Sequence, residues 1–238
     1  MKLLLAHRRV LKRKLMDIEM EVRQSLKMFG LMAGRRVQRN TFVERIRGVT
    51  AGVRLLALAT DSLLRCWRVL WDEYRELHKL VVQLVGRNEL CRCWCEIPGV
   101  GPVTAMQFLA AVDDLRRFGK SKTLGAHFGL TPRCEQSGAS VDRGGSISRR
   151  GDAEVRCALY EAASAILTRS QKHSALKAWG MRLAAKRGRK RAVVAVARKL
   201  ATVIHRMWRY GSTFRFSAKE PQGFGGWDGA AAAVAHAA

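Results

Sequence analysis

The 238-residue sequence carries 44 Lys and Arg against 19 Asp and Glu, a formal charge of +25, while 48% of its residues are hydrophobic. This charge predicts a polyanionic partner, and the apolar content is too high for a disordered basic tail. No run of 18 or more apolar residues occurs, and the basic N-terminus does not fit a secretory signal. We therefore expect a cytoplasmic, non-membrane protein of one or two domains whose cysteines stay reduced.

The first part of the chain is predicted to be helical. Apolar residues recur at three- and four-residue steps from Leu4 to Phe29, with Lys and Arg between them, which is the period of an amphipathic helix. Gly30 and Gly34 are expected to end this helix. A shorter helix is predicted from Phe42 to Ile46.

The clearest helix is predicted to begin with Asp61 as its N-cap and to end at Gly86. Its apolar residues follow the helical period, and it would be roughly 37 Å long. It would pair with the first helix as a coiled-coil-like arm or pack on a neighbouring domain. Its large aromatic residues are interpreted as core or an oligomer seam and not as a ligand site.

The segment Ile97-Pro98-Gly99-Val100-Gly101-Pro102 predicts a tight turn before a helix of about residues 103–112. The amides of Gly99, Val100 and Gly101 would then lie at the helix N-terminus, where backbone donors can hold a phosphate. A helix–hairpin–helix element holds a nucleic-acid backbone in this way, without reading bases. The alternative is an ordinary Gly/Pro turn, and the net charge favours the nucleic-acid interpretation.

Two other features could suggest a metal site, and neither predicts one. Asp113 and Asp114 are adjacent, so on a helix their side chains point in different directions. Cys91, Cys93 and Cys95 alternate and lack the C-x-x-C spacing of zinc sites, which favours packed thiols. We therefore expect no metal and no other cofactor to be bound by this chain.

Residues 133–151 are rich in Gly, Ser and Arg and are predicted to form a functional loop between helices. The loop contains four serines and four arginines. A serine hydroxyl could attack a phosphodiester while arginines neutralise the charge that develops on phosphorus. The alternative, which the residue types alone favour, is a flexible basic loop that binds phosphates and cleaves nothing.

Helices are predicted again from Asp152 onwards, and the last runs from Val193 to Tyr210. The basic cluster Lys186-Arg187-Gly188-Arg189-Lys190-Arg191 precedes it. This cluster could contact nucleic acid or could be a solvated turn. Residues 217–238 include Gly225-Gly226 and an alanine-rich end, and are expected to be disordered.

Six segments together resemble the C-terminal half of the IS110 family of insertion-sequence transposases, also described as bridge-RNA-guided recombinases. The resemblance covers roughly residues 1–216, and it is specific because all six segments occur in the family's order. The segments are Ile97–Gly101, Phe128–Arg133, Gln136–Gly138, Ile147–Asp152, Tyr160–Ala163 and Val196–Ala201.

The resemblance implies a catalytic machinery in two parts. In the family, an N-terminal resolvase-like domain with a ribonuclease-H-type fold carries four metal-binding acids, which implies Mg²⁺ for that domain. The C-terminal transposase domain carries a serine that attacks DNA and becomes covalently linked to it. That serine falls on Ser137 here, which leaves Ser140, Ser146 and Ser148 as phosphate-contacting or loop residues.

The sequence departs from the family pattern before the transposase domain. Residues 1–90 resemble the helical connector that follows the resolvase-like domain, and no acid precedes them in a strand pattern. The first acid, Asp17, lies inside the helical repeat. We therefore expect a gene that is truncated at its 5′ end, or an open reading frame that begins at an internal methionine.

The sequence as a whole predicts a mainly α-helical protein. A helical connector or coiled-coil arm is expected at residues 1–90, and a transposase domain at 91–216 with a helix–hairpin–helix-like element and the serine loop. The predicted nucleophile is Ser137. The predicted nucleic-acid-binding residues are Gly99, Val100, Gly101, Arg133, Arg143, Arg149 and Arg150.

The expected function is DNA transposition by serine-mediated strand exchange, which requires a metal-bearing domain from outside this chain. The chain alone is expected to be inactive. Expected partners are DNA, a structured guide RNA and further copies of the chain. The alternative is a nucleic-acid-binding remnant of a transposase that has lost catalysis. A purely structural helical oligomer would leave the glycine turn and the serine loop unexplained.

Overall fold

The computed structural model describes residues 1–34, 37–137 and 141–217, with the backbone alone for 134–137 and 141–145. Nine α-helices and one two-stranded hairpin make up these residues, which confirms the mainly α-helical fold. None of the helices in the described ranges is both long and apolar enough to cross a bilayer. The predicted disordered tail lies outside the described residues, apart from Ser217.

The helices are α1 (Lys2–Met28), α2 (Phe42–Thr50), α3 (Arg54–Arg87), α4 (Glu89–Cys95), α5 (Pro102–Val112), α6 (Leu124–His127), α7 (Ala153–Thr168), α8 (Ala175–Arg187) and α9 (Arg189–Tyr210). The strands are β1 (Pro132–Ser137) and β2 (Val141–Ile147). Short 3-10 turns lie at Arg39–Thr41, Leu115–Arg117 and Ser121–Thr123.

The chain divides into two compact units, Leu3–Val81 and a second unit that includes the described residues from Val82 onwards. The sequence prediction had set a boundary between residues 90 and 91. The division between the two units lies inside α3, which continues without a break to Arg87.

In the unit Leu3–Val81, α1 and α3 pack antiparallel and α2 closes the core. Arg8 Nη2 donates to Tyr74 Oη at 2.6 Å, and Trp67 Nε1 donates to Glu19 Oε1 at 3.2 Å, so later residues of α1 meet earlier residues of α3. The rings of Phe42 and Trp67 lie 5.0 Å apart, and the stack continues to Trp71, Tyr74 and His78. The aromatic face of α3 is therefore core, as one of the two predicted alternatives had it.

In the second unit, α9 packs against α6, α7 and α8. Trp208 of α9 is buried, and its ring lies 5.6 Å from that of Trp94 in α4. Trp94 in turn meets Phe108 of α5 at 5.5 Å, and Phe108 meets Phe128 at 5.7 Å. This aromatic chain joins α4, α5, α9 and the segment that leads into β1.

The predicted start of α3 and the predicted end of α2 were wrong. Asp61 lies inside α3 and does not cap it, because the Leu- and Ala-rich residues from Arg54 to Thr60 also favour helix. The helix has 34 residues and is about 51 Å long. The helix predicted at Phe42–Ile46 continues to Thr50.

The largest difference concerns residues 133–151, which were predicted to be a loop. Residues 132–137 and 141–147 pair as an antiparallel hairpin. Neither strand shows an alternation of apolar and polar residues, so the strand period was not visible in the sequence.

Candidate nucleic-acid interface

The predicted glycine turn lies between α4 and α5, and Gly99 is fixed there by packing. Gly99 has φ +85°, and a Cβ on it would lie 2.6 Å from the carbonyl oxygen of Ala162 in α7. The same Cβ would lie 3.1 Å from Cγ1 of Ile166. The requirement for glycine at this position is therefore explained by the close approach of α7, independently of any ligand.

Val100 does not offer an outward-facing amide. Its N–H donates to the carbonyl oxygen of Ile97 at 3.0 Å, and its side chain is buried. This corrects the expectation that all three turn amides are available to a phosphate. The Val100 amide is therefore removed from the predicted phosphate site.

Gly101 is the N-cap of α5, and Pro102 occupies the first helical position. Its backbone is extended, and a Cβ placed on it would meet no atom within 4 Å. The first amides of a helix have no intrahelical carbonyl to bond, so Val103 and Thr104 carry the donors that a phosphate could accept from. This end of α5 is the part of the turn that keeps the predicted geometry.

The hairpin carries the predicted nucleophile at the end of one strand. Ser137 is the last residue of β1 and pairs with Val141, while Glu135 pairs with Arg143. Arg143 therefore lies on the opposite strand, two residues along from the residue that pairs with Ser137. The side chains of these residues, and Ser140 as a whole, lie outside the part of the chain that the structure describes.

The base of the hairpin is held by close backbone contacts between Gly129–Thr131 and Ser148–Gly151. Ser148 N donates to Thr131 O at 2.8 Å, and Arg149 N donates to Gly129 O at 3.2 Å. A Cβ on Gly129 would overlap the backbone of Arg149 and Arg150, and a Cβ on Gly151 would overlap the carbonyl oxygen of His127. Both glycines have positive φ, so side chains are excluded there for two separate reasons.

Arg156, on α7, is a residue of this site that the sequence analysis missed. Its Nη1 donates to the carbonyl oxygens of Phe128 at 3.1 Å and Arg150 at 3.4 Å. One guanidinium therefore joins both chain segments at the base of the hairpin to α7. Arg156 lies in an ordinary helical segment, and nothing in the sequence indicates its contact with Phe128, 28 residues earlier.

Three of the four predicted arginines lie at this base, and their side chains are exposed. They are Arg133, Arg149 and Arg150. Arg133 Nη2 donates to Ser148 O at 3.5 Å, and Arg149 has φ +55°, a conformation that costs about 1–2 kcal/mol in a non-glycine residue. The side chain of Arg143 lies outside the described part. The base of the hairpin therefore presents guanidinium groups to solvent, where a phosphate backbone could reach them.

The residues present do not fit a metal site within the described ranges. No group of three or more His, Cys, Asp or Glu side chains is arranged there to hold an ion. Asp114 instead caps a 3-10 turn and accepts from Arg116 N at 2.8 Å, and hydrogen bonds from Arg116 hold the pKa of this carboxyl below its usual range. Cys91 and Cys93 are buried. Because burial raises the pKa of both thiols to about 12, they stay protonated and unreactive at neutral pH.

Comparison with known proteins identifies the domain that contains these features. The family model described as Transposase IS116/IS110/IS902 family matches residues 91–180, which span the glycine turn, the hairpin and α7. The transposase for insertion sequence element IS1111A of Coxiella burnetii is 33% identical over 209 residues, which cover 83% of this chain and 55% of that protein.

Two further relatives agree with this match. A putative transposase, y4pF/y4sB, of Sinorhizobium fredii is 31% identical over 193 residues, covering 79% of this chain and 49% of the relative. The pilin gene-inverting protein of Moraxella bovis is 29% identical over 160 residues, which cover 65% of this chain and 48% of that protein. The chain spans about half the length of these curated relatives. The chain belongs to the IS116/IS110/IS902 family of transposases.

Proposed function

We propose that this chain supplies the DNA-binding and nucleophile-bearing part of a transposase, and that Ser137 is the nucleophile. The observation that supports this most is the position of Ser137 at the end of β1, on a hairpin whose base is fixed by Arg156 and two glycines. A fixed base can hold a nucleophile in place against a phosphate, and such positioning lowers the barrier to attack.

In the proposed reaction, Oγ of Ser137 forms a bond to phosphorus while a bond from phosphorus to a deoxyribose oxygen breaks. The hydroxyl proton passes to a base, and the departing oxygen takes up a proton. The arginines near the hairpin stabilise the negative charge that develops on phosphorus. They are Arg133, Arg143, Arg149 and Arg150.

We further propose that the metal-binding acids of the reaction come from outside these 238 residues. The magnesium implied by the family resemblance would neutralise charge at the reacting phosphate when its own site is present. This chain's residues would bind the DNA backbone, position the strand and provide the serine. A structured guide RNA and further copies of the chain are proposed as additional partners.

The relatives support the class of reaction. Transposition is named for the Coxiella protein, and gene inversion, which is also a recombination reaction, is named for the Moraxella protein. Both reactions break and rejoin DNA strands. A covalent serine–DNA intermediate would conserve the energy of the broken phosphodiester for the rejoining step.

The test is a covalent-capture experiment with a labelled DNA duplex and a metal-bearing resolvase-like domain supplied in trans or fused to the chain. A labelled protein–DNA band that survives denaturation is expected for the wild type and for Ser140→Ala, and no band is expected for Ser137→Ala. DNA binding with no adduct in any variant would favour the alternative, a nucleic-acid-binding remnant without catalysis.

A further inference from the structure

A second basic surface lies at the corner between α8 and α9, and none of the predicted site residues belongs to it. We define the corner patch as Lys186, Arg187, Arg189, Lys190 and Arg191. All five side chains are exposed. From Ala162 to Ser217 the sequence contains no Asp or Glu, so the helices that carry the patch hold no neutralising acid. Among the described residues, no ion pair involves the five cations.

The corner is held in one conformation by the backbone and by packing. Gly188 ends α8 with φ +79°, which favours glycine, and its N–H donates to Ala184 O at 3.0 Å. Behind the corner, a Cβ on Gly180 of α8 would lie 2.6 Å from Cγ2 of Val196 in α9 and 2.7 Å from Cδ2 of Leu167. Because α8 and α9 pack this closely, the five cations project from a fixed corner and not from a flexible loop.

The patch does not stabilise the fold. Arg189, Lys190 and Arg191 occupy the first turn of α9, where the positive end of the helix dipole repels cations at about 0.3–1 kcal/mol each. Neighbouring like charges repel one another as well, and no acid in these helices offsets them. A polyanion bound at the corner would turn this repulsion into attraction.

We propose that the corner patch binds the phosphate backbone of duplex DNA, as a contact surface additional to the hairpin. None of the five patch residues is aromatic, so the patch itself offers no ring of the kind on which single-stranded bases stack. The five exposed cations complement the negative charge of a phosphate backbone. The inference rests on the DNA-binding part of the proposed function and does not depend on Ser137.

The test compares two variants of the full chain that lose the same charge. In the patch variant, Arg189, Lys190 and Arg191 are each changed to Gln. In the control variant, Arg13, Lys14 and Lys27, which are exposed on α1, are each changed to Gln. Affinity for a mixed-sequence DNA duplex of about 20 base pairs is measured by fluorescence anisotropy at several salt concentrations.

The patch variant is expected to lower the magnitude of the slope of log affinity against log salt by about 2 to 3, since each lost phosphate contact removes about 0.9. The control variant should leave the slope unchanged. The thermal midpoint of the patch variant should not fall, because cations are removed from a helix N-terminus, so weaker binding would not reflect unfolding.

Three outcomes would overturn the proposal. The two variants could lose equal affinity, which would indicate a general charge effect. The patch variant could lose affinity only for a single-stranded oligonucleotide. It could also lose affinity for an RNA duplex while retaining it for DNA. Adduct formation by Ser137 is scored in a separate experiment, so failure of the serine proposal leaves this result interpretable.

Discussion

The carbonyl oxygen of Ala162 in α7 packs too closely against Gly99 to leave room for a side chain there. A Cβ built on Gly99 comes within 2.6 Å of that oxygen, and the positive φ of Gly99 disfavours any L-residue. A Cβ built on Gly101, two residues later, would meet no atom within 4 Å. Packing therefore explains the glycine at residue 99 and does not explain the glycine at residue 101.

Separate substitutions of these glycines are predicted to have separate effects. Gly99→Ala should lower the free energy of unfolding by about 2–3 kcal/mol, because it adds backbone strain to a steric clash with α7. Gly101→Ala should change it by less than about 1 kcal/mol, yet weaken DNA binding if a phosphate sits on the first amides of α5. Urea unfolding and anisotropy titrations measure the two effects. Unchanged DNA affinity in Gly101→Ala would mean that the turn only connects two helices.

Removal of the Arg156 guanidinium is predicted to loosen the base of the hairpin. Arg156→Met leaves the carbonyl oxygens of Phe128 and Arg150 without this donor and should cost about 1–3 kcal/mol. Hydrogen exchange should speed up at the amides of Ser148 and Arg149, which bond across the base.

The matched control for this change is Arg182→Met, at an exposed position on α8. It should leave exchange at both amides unchanged. Equal protection of Ser148 and Arg149 in Arg156→Met and wild type would show that the two glycine contacts hold the base without Arg156.

His205 makes the stability of the second unit sensitive to acid. Its side chain is buried, its Nδ1 lies 2.9 Å from Ser121 Oγ, and burial, with a further contribution from Arg209, lowers its pKa to about 4. The unfolded chain takes up a proton near pH 6.5, whereas the folded chain resists until about pH 4. Stability is therefore complete above pH 6.5 and falls between pH 6.5 and 4, by at most on the order of 3 kcal/mol.

The measurement is the unfolding free energy of the wild type, His205→Gln and the exposed-site control His173→Gln between pH 4 and 7. His205→Gln should flatten the dependence, although not fully, because burial also lowers the pKa of His78. His173→Gln should follow the wild type. A wild-type profile that is flat across this range would contradict the assignment.

The chain alone is predicted to bind DNA without exchanging strands, even when magnesium is added. A serine hydroxyl is a weak nucleophile at neutral pH and requires a base or a metal to assist it. A recombination assay on two DNA substrates, followed by amplification of the product junction, tests this. Efficient recombination by the 238 residues alone would show that the required acids lie within them.

The long helices could be predicted from the sequence because their apolar residues repeat with a clear period. Leu15, Val22 and Leu26 of α1 and Val196, Leu200 and Ile204 of α9 are buried as that period requires. The start of α3 was missed because Asp61 has the chemistry of an N-cap but lies where helix formers precede it. The apolar period therefore predicts the long helices well, and it fails to fix their ends where a capping residue and helix-forming residues give conflicting indications.

The hairpin and the contacts at its base could not be predicted from the sequence, for a different reason. The contacts that fix them join residues distant in sequence, such as Gly129 with Arg150 and Arg156 with Phe128. The glycines were recognisable as special, but the sequence does not state which backbone each must accommodate. The same limit applies to Gly99. The sequence suggested that a glycine there makes room for a phosphate, whereas in the structure it makes room for the carbonyl oxygen of Ala162.

The most direct test of the account is to locate the DNA on the protein by mass spectrometry. The covalent complex, formed with the metal-bearing domain present, is digested with nuclease and trypsin; cleavage after Arg133 and Arg143 releases the peptide Cys134–Arg143, which contains both Ser137 and Ser140. Fragmentation of this peptide distinguishes the two serines. The account predicts a nucleotide mass on Ser137. A nucleotide on Ser140, or on a residue outside this peptide, would contradict it.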